Sequence, residues 1–315
     1  MAALANVGSV KEKYHVYHAE AQVLSGALEH PVKQQLENYG QLAFERTRRE
    51  GHLTEEVGET TIEGLISFRS GRTSVSGSLI KNKKDLWGND HSGWVTLSTS
   101  VIEGLNVFEV ITADRMVAQV STEHALINGH VPKVTFLGTR FENLRVAGFP
   151  VQIELDLAIC GEQPADDRTY LQDTGFLERV QRQLDGIAGA KGLPETLKKQ
   201  YDAEIVNIED LRKRAKGKDE RKTDKLQCAL VKSIGPIPVP GVKTFGNVIF
   251  IPYFGTVALG EIEVGLEPSY DGFGEPAFKP YSNYFALNMA DMRLGCIGGG
   301  KLLAGGAKAN GNTAP

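Results

Sequence analysis

The sequence has few cysteines and no long hydrophobic run. Its 315 residues include three cysteines, Cys160, Cys228 and Cys296, and such scarcity is typical of proteins that work in a reducing compartment. No segment reaches the roughly 18–20 apolar residues that cross a bilayer, and residues 1–13 lack the basic start and apolar stretch of a secretory signal. We therefore expect a soluble, cytoplasmic protein without a membrane partner.

An excess of positive charge is also absent. The chain has 35 basic and 39 acidic residues, a formal net charge of −4 and a pI of about 6.0. Proteins that bind nucleic acid usually have a basic excess, because neutralising phosphates supplies most of their affinity. We therefore expect no nucleic-acid partner.

The sequence also lacks the short motifs that mark well-known catalytic sites. It contains no Gly-x-Ser-x-Gly elbow, no His-Glu-x-x-His and no Cys-x-x-Cys pair. Residues 295–301 have the spacing of a phosphate-binding loop, but Leu302 stands where that motif has a hydroxyl residue. The segment after it is a poor helix former, whereas the motif needs a helix N-terminus. We therefore expect no nucleotide cofactor.

Short extended segments fill the part of the chain before Pro164. Residues Val151–Ile159 alternate apolar and polar side chains, as in a strand with one buried face. Residues 62–68 and 73–80 flank a turn-like Ser-Gly-Arg and predict a β-hairpin. The Tyr- and Val-rich segment Tyr14–Leu24 favours a strand, although Tyr14, Tyr17, Ala21 and Leu24 also fit a helical stripe. Turn signals every 8–12 residues or so favour a mainly β fold, either an antiparallel β-sandwich or a barrel-like scaffold.

Two amphipathic helices interrupt this pattern at about residues 173–216. Apolar residues from Phe176 to Ile187 recur at three- and four-residue steps, and a second stripe runs from Leu197 to Leu211. The glycines and Pro194 between the stripes predict a short loop, so the two helices form a hairpin.

The predicted domain organisation has three parts. Residues 1–164 and 226–294 form a β-rich body, as one large domain or as two that share a seam. Residues 165–225 form the inserted helical hairpin. Residues 295–315 are rich in Gly, Ala and Asn, and we expect them to be a flexible tail.

Both tryptophans lie close together in one polar segment. Trp87, Asn89, Asp90, His91 and Trp94 combine aromatic faces with amide and carboxylate groups. Loops with such groups on a rigid β scaffold can bind a sugar or another polar ring, so these five residues are the predicted ligand-binding site. The alternative is a long hairpin loop in which Trp94 begins a core strand and Trp87 covers an edge.

A second candidate site surrounds a turn dipeptide. His124 and His130 bracket Asn128-Gly129, and a hairpin there could bring both imidazoles together with Glu123. Such a cluster could bind a divalent metal ion or perform acid–base chemistry. The alternative is that these are ordinary surface histidines.

The function that these observations favour is a non-catalytic binding or assembly protein. The expected partners are a small polar or carbohydrate-like ligand, or further copies of the chain in a homo-oligomer. The alternative is an enzyme of the hydrolase or isomerase kind, with a histidine and carboxylate site between strands that a metal ion assists.

Overall fold

The computed structural model describes residues 14–47, 49–81, 84, 92–126, 130–165, 168–217, 221, 223–270, 276–296 and 299–314. Within these ranges, fourteen strands precede the helices. They are β1 (Tyr14–Leu28), β2 (Gln34–Gln35), β3 (Leu42–Thr47), β4 (Gly51–Val57), β5 (Thr60–Ile62), β6 (Ile66–Phe68), β7 (Ser70–Ile80), β8 (Gly93–Val107), β9 (Ile111–Ala125), β10 (Lys133–Thr135), β11 (Arg140–Glu142), β12 (Arg145–Val146), β13 (Phe149–Pro150) and β14 (Ile153–Leu155).

A 3-10 turn at Tyr170–Gln172 leads into the two helices, α1 (Thr174–Ala188) and α2 (Glu195–Ala215). The strands that follow are β15 (Lys225–Ala229), β16 (Val231–Ile234), β17 (Lys243–Phe245), β18 (Val248–Ile251), β19 (Gly255–Tyr270), β20 (Pro276–Leu294) and β21 (Gly300–Ala314). The structure is 55% strand and 15% helix. The prediction of a mainly β, antiparallel scaffold with a helical hairpin at about 173–216 is confirmed.

Two antiparallel sheets form the body. Sheet A has the order β17-β18-β19-β20-β21-β1-β2, with β15 beside β19 and β3 beside β1. Sheet B has β8 at its centre, between β9 on one side and β6 and β7 on the other, and β4 forms an edge next to β7. Strands β1 and β21 of sheet A lie over β8 of sheet B. The buried apolar residues form a large cluster and a smaller one around Tyr17, Phe44 and Trp94.

The two sheets approach each other closely under β1. Ser100, on the inner face of β8, donates a hydrogen bond of 2.7 Å to the backbone carbonyl oxygen of Gln22 in β1. A Cβ atom on Gly77 would lie only 2.4 Å from the ring of Tyr17. Interiors are packed at crystal density, so small and hydroxyl side chains are needed where strands from opposite sheets come so near.

The C-terminal segment is a central strand, and the prediction of a flexible tail over residues 295–315 is wrong. β21 pairs with β1 from Gly300 to Ala314, except at Gly305, and with β20 on its other side. Ala304, Ala307 and Ala309 of β21 are buried. The small side chains that suggested flexibility are the ones that fit beneath the opposite sheet.

The helical hairpin closes the outer edge of β15. Gln183 of α1 exchanges two hydrogen bonds, of 2.8 and 3.0 Å, with the backbone N–H and carbonyl of Ala229. Asn207 of α2 donates a hydrogen bond of 2.9 Å to the backbone carbonyl oxygen of Lys225. An open strand edge is a template for pairing with other chains, so these side chains cover groups that would otherwise attract a further strand. The apolar faces of both helices join the core of the two sheets.

Two strand predictions need correction. Residues 62–80 do not form one hairpin, because the turn-like residues 70–72 lie inside β7, which pairs with β4 and β8. The predicted strand Val151–Ile159 is reduced to β14 at its centre, which pairs with β16. The chain turns after β14 because the Asp156 carboxylate accepts a hydrogen bond of 3.1 Å from the Ala158 N–H, as in an Asx turn.

Of the two described helices, neither is long and apolar enough to cross a membrane. The division into a β-rich body and an inserted hairpin as separate domains stays a prediction.

Candidate functional site

Most of the predicted tryptophan-loop site lies outside the described residues. Trp87, Asn89, Asp90 and His91 belong to that part, and the prediction of a ligand site there stays a prediction. Trp94 is buried, with 7% of its side chain exposed, and stacks on the ring of His15 at a centroid distance of 5.4 Å. Trp94 therefore packs in the core of the sandwich.

The predicted histidine cluster does not converge on one face. His124 is fully buried and its ring lies 4.8 Å from that of His15, whereas Glu123, the next residue along β9, points to the opposite face. His130 is half-buried, beyond the end of β9. No group of three or more His, Cys, Asp and Glu side chains that could hold a metal ion occurs among the described residues. The metal site at these three residues stays a prediction.

His15 and His124 form a buried pair that spacing along the chain did not predict. Burial, and the neighbouring His124, lower the pKa of His15 well below its ordinary value. The pair sits over Gly311 of β21, where a Cβ atom would lie 2.5 Å from His15 Nε2 and 2.8 Å from His124 Nε2. The imidazoles are therefore part of the packing between the sheets.

A line of unpaired residues crosses sheet A. Along the ladders that join β19, β20, β21 and β1, the residues Gly260, Met289, Gly305 and Val23 are left out of the pairing at the same level. The two glycines have φ angles of +59° and +67°, a conformation that costs free energy for a residue with a Cβ atom. A glycine inside a strand often marks a bend of the strand. We call this line the sheet A interruption.

A cleft of about 150 Å³ opens on the outer face of sheet A, directly beside the sheet A interruption. Gln22, Gly306 and Asn288 are register neighbours on β1, β21 and β20, one step from that line. A Cβ atom on Gly306 would lie 2.8 Å from Cγ of Gln22, so a side chain at this position would fill part of the cleft. The polar side chains around the cleft are Glu20, Gln22, Gln41, Asn288 and Lys308.

Four charged groups hold one another at one end of the cleft. His18 Nε2 lies 2.8 Å from Glu20 Oε1, and His18 Nδ1 lies 3.3 Å from Glu267 Oε2. Lys308 Nζ lies 3.3 Å from Glu20 and 2.5 Å from Glu267. Asn310 donates a further hydrogen bond of 2.8 Å to Glu267. Each charge has two partners, so the group is rigid and nearly neutral.

The pKa values of these groups move so that all four stay charged near neutral pH. Hydrogen bonds to Glu20 and Glu267 raise the pKa of His18 to about 9. Burial alone would raise the pKa of Glu267, but hydrogen bonds from His18 and Lys308 outweigh it and bring the pKa to about 2. The hydrogen bond with His18 also lowers the pKa of Glu20. Opposite charges at short range favour the charged forms.

Tyr284 extends this polar surface on the far side of Lys308. Its ring lies across Gly265, where a Cβ atom would come within 2.4 Å of the ring. Its hydroxyl donates a hydrogen bond of 2.7 Å to the carboxylate of Glu263. The ammonium of Lys308 lies 4.9 Å from the ring centroid, within the range of a cation–π contact. Lys308 is thus fixed by an aromatic ring as well as by two carboxylates.

Sequence reasoning missed this site, although part of its pattern is visible. His18, Glu20 and Gln22 alternate with buried residues along β1, which indicates a polar outer face. The partners Glu20 and Lys308, however, are 288 positions apart in the chain. Only the pairing of β1 with β21 brings them together, and the C-terminal segment was predicted to be a tail.

The model of one protein family, described as Domain of unknown function (DUF8256), matches residues 15–265. The match includes β1, the helical hairpin and most of β19, and it ends before β20 and β21. The cleft residues Glu20, Gln22 and Gln41 therefore lie inside the match, whereas Asn288 and Lys308 lie outside it. No curated protein and no solved structure matches the chain.

Proposed function

The chain belongs to this family of unknown function, and we propose from the geometry that it is a non-catalytic binding protein. Its ligand is a neutral, hydroxyl-rich molecule such as a sugar unit, which binds in the cleft on the outer face of sheet A. The supporting observation is the convergence of polar side chains from β1, β20 and β21, and of Gln41 beside them, over a floor of Gly306 and Ala286.

The chemistry of the walls suits hydroxyl groups. Gln22, Gln41 and Asn288 each carry a carbonyl that accepts and an amide that donates, while Glu20 accepts and Lys308 donates. A hydroxyl both donates and accepts, so neighbouring hydroxyls of one ligand can be satisfied by pairs of these groups. No hydrogen bond from Gln22 or Asn288 to another side chain occurs within the described residues, so both amides are available to a ligand.

The balance of charge favours a neutral ligand over an ion. Two cationic groups, His18 and Lys308, face two carboxylates, Glu20 and Glu267, at distances of 2.5 to 3.3 Å. An incoming ion would have to compete with a partner that is already bound and half-buried. A sugar hydroxyl adds hydrogen bonds without removing any of these pairs.

The same charges disfavour the alternative of an enzyme with acid–base catalysis at this cleft. Such catalysis needs two groups whose environments push their pKa values apart, one of them towards neutral pH. The pKa values of Glu20 and Glu267 are both lowered, so neither carboxyl is a proton donor near pH 7. This supports binding without chemistry.

Calorimetric titration of the protein with neutral mono- and disaccharides tests the proposal. We expect at least one saccharide to bind, and Gln22→Ala and Asn288→Ala each to weaken its binding by up to about tenfold, the equivalent of one lost hydrogen bond. Gln35→Ala is the matched control, because Gln35 is an exposed amide on β2 of the same sheet, outside the cleft. Absence of binding, or equal losses in Gln35→Ala, would refute the proposal.

A further inference from the structure

The outer face of sheet B has a larger groove, of about 590 Å³, that the proposed sugar site does not involve. Pockets of roughly 300–1,000 Å³ are of the size that binds small molecules. The lining residues on β7, β8 and β9 that bear on ligand binding are Arg72, Ser74, Thr99, Val101, Glu103 and Arg115.

This groove also lies beside an interruption of the strand ladders. Glu103 pairs with Arg115 and Leu105 pairs with Ala113, which leaves Gly104 and one residue of β9 outside the pairing. Gly104 has a φ angle of +64°, which favours glycine. The side chains of Glu103 and Arg115 therefore lie next to this break in the ladder.

Glu103 is surrounded by more positive charge than it can neutralise. Its carboxylate lies 3.4 Å from Arg69 Nη2 and 3.6 Å from Arg115 Nε, and it accepts a hydrogen bond of 3.1 Å from Ser70. Two guanidinium groups thus share one carboxylate. Among Arg69, Glu103 and Arg115, one positive charge is therefore in excess.

A third guanidinium, that of Arg72, is only loosely paired. Arg72 Nε lies 3.8 Å from Glu56 Oε1, and the two side chains are 61% and 77% exposed. Exposed pairs of this kind contribute little, about 0.2–1 kcal/mol. A ligand anion can therefore replace Glu56 at Arg72 at low cost.

The floor between the two arginines offers hydroxyl groups. Ser74 and Thr99 are register neighbours on β7 and β8, and Val101 lies two residues further along β8. Gly58 borders the groove, and a Cβ atom there would meet nothing within 4 Å. The groove therefore combines hydroxyl groups with the apolar side chains of Val57 and Val101, and Arg72 and Arg115 also line it.

We propose that this groove is a second binding site, for a small organic anion that carries a carboxylate or phosphate group on a hydroxylated body. Arg72 binds the anionic group in the fork geometry that guanidinium offers to both kinds of oxyanion. Arg115 supplies the excess charge at the other end, and Ser74 and Thr99 bind the hydroxyls. Glu56 is a competitor of the ligand for Arg72.

Calorimetric titration with D-glucuronate, D-glucose 6-phosphate and inorganic phosphate tests this site. We expect Arg72→Gln to weaken the binding of at least one of these probes about tenfold to a hundredfold. Glu56→Gln, in contrast, should strengthen binding about two- to fivefold, because it removes the competing carboxylate. Affinity should also fall as salt is added. Glucuronate binding identifies a carboxylate ligand, and binding of the phosphates identifies a phosphate ligand; both support the site.

Two control variants separate this site from the proposed sugar site. Arg140→Gln removes a guanidinium that is paired at 2.7 Å with Glu142 on the same sheet, outside the groove, and should leave anion binding unchanged. Gln22→Ala, in the sheet A cleft, should also leave it unchanged. Failure of all three probes to bind, equal affinity of wild type and Arg72→Gln, or weaker binding by Glu56→Gln would overturn the proposal.

Discussion

The outer faces of the two sheets handle charge in opposite ways. The cleft on sheet A and the groove on sheet B each lie beside an interruption of the strand ladders, so the same backbone feature occurs in both sheets. On sheet A, His18 and Lys308 each contact two carboxylates and are half-buried. On sheet B, the pair of Arg72 and Glu56 is exposed and long, at 3.8 Å. The same kind of interruption therefore supports a rigid, neutral cleft on one face and a loosely paired, cationic groove on the other.

Burial explains why this difference matters. Water and salt screen an exposed charge pair, so another ion can replace either partner at low cost in free energy. In a half-buried pair, removal of one partner leaves the other charge unpaired, which lowers the free energy of unfolding. A substitution among the paired charges of sheet A should therefore change the free energy of unfolding. A substitution among the exposed charges of sheet B should instead change the affinity for a ligand.

The largest expected effect on the free energy of unfolding comes from Glu261 of β19, a residue of sheet A that α2 helps to bury. Burial, then Asp291, raises the pKa of Glu261 from 4.5 to about 7. The folded state therefore holds this proton after the unfolded state has released it, and the free energy of unfolding falls as pH rises from about 4.5 to 7. Glu261→Gln should remove this fall, which amounts to up to about 3 kcal/mol by pH 8. Urea unfolding at several pH values measures it.

The control for Glu261 is Glu56→Gln on the exposed face of sheet B. It should show the same pH dependence as the wild type. A Glu261→Gln variant that still loses stability between pH 5 and 8 would show that another group is responsible.

Removal of one carboxylate from each face compares the two charge arrangements directly. Glu267→Ala leaves His18 and Lys308 half-buried with one carboxylate between them, and should lower the free energy of unfolding by about 2 kcal/mol at pH 7. Glu56→Ala should lower it by less than about 0.5 kcal/mol. Equal losses in urea unfolding would mean that the two faces do not differ in the way described.

The smaller of the two expected pH effects concerns His18. Its folded pKa of about 9 lies above the ordinary value of 6.5, so its stabilisation is complete below pH 6.5 and is lost as pH rises to 9. Because the side chain is a quarter exposed and the pairs are shared, we expect a loss of about 1 kcal/mol over this range. His18→Gln should lack this loss. An NMR titration of His18 with a midpoint near 6.5 would contradict the prediction.

The sequence predicted the elements better than their partners. The three- and four-residue apolar steps identified α1 and α2, because that signal is local. Both a strand and a helical stripe fitted Tyr14–Leu24, and the structure has the strand β1 there. The same reasoning failed for residues 62–80, where β7 pairs with β4 and β8 instead of closing a hairpin. Pairing depends on residues far away in the chain, which local patterns do not report.

The predicted binding residues illustrate the same limit. Trp94 was one of five side chains in a proposed ligand loop, and it is a core residue stacked on His15. His124 was placed with Glu123, and it packs with His15 instead. In both cases the deciding neighbour comes from β1, about 80 to 110 residues away. Self-association, which the sequence also suggested, stays a prediction.

By itself the sequence determined that this chain alternates as pleated strands and that one amphipathic helical hairpin interrupts them, because those properties follow from the order of polar and apolar side chains. Only the tertiary structure decided that the Gly- and Ala-rich end is the central strand β21. The physical reason is space: where two sheets lie too close for large side chains, glycine and alanine are the residues that fit, and nothing in their local pattern distinguishes a tightly packed strand from a loose end.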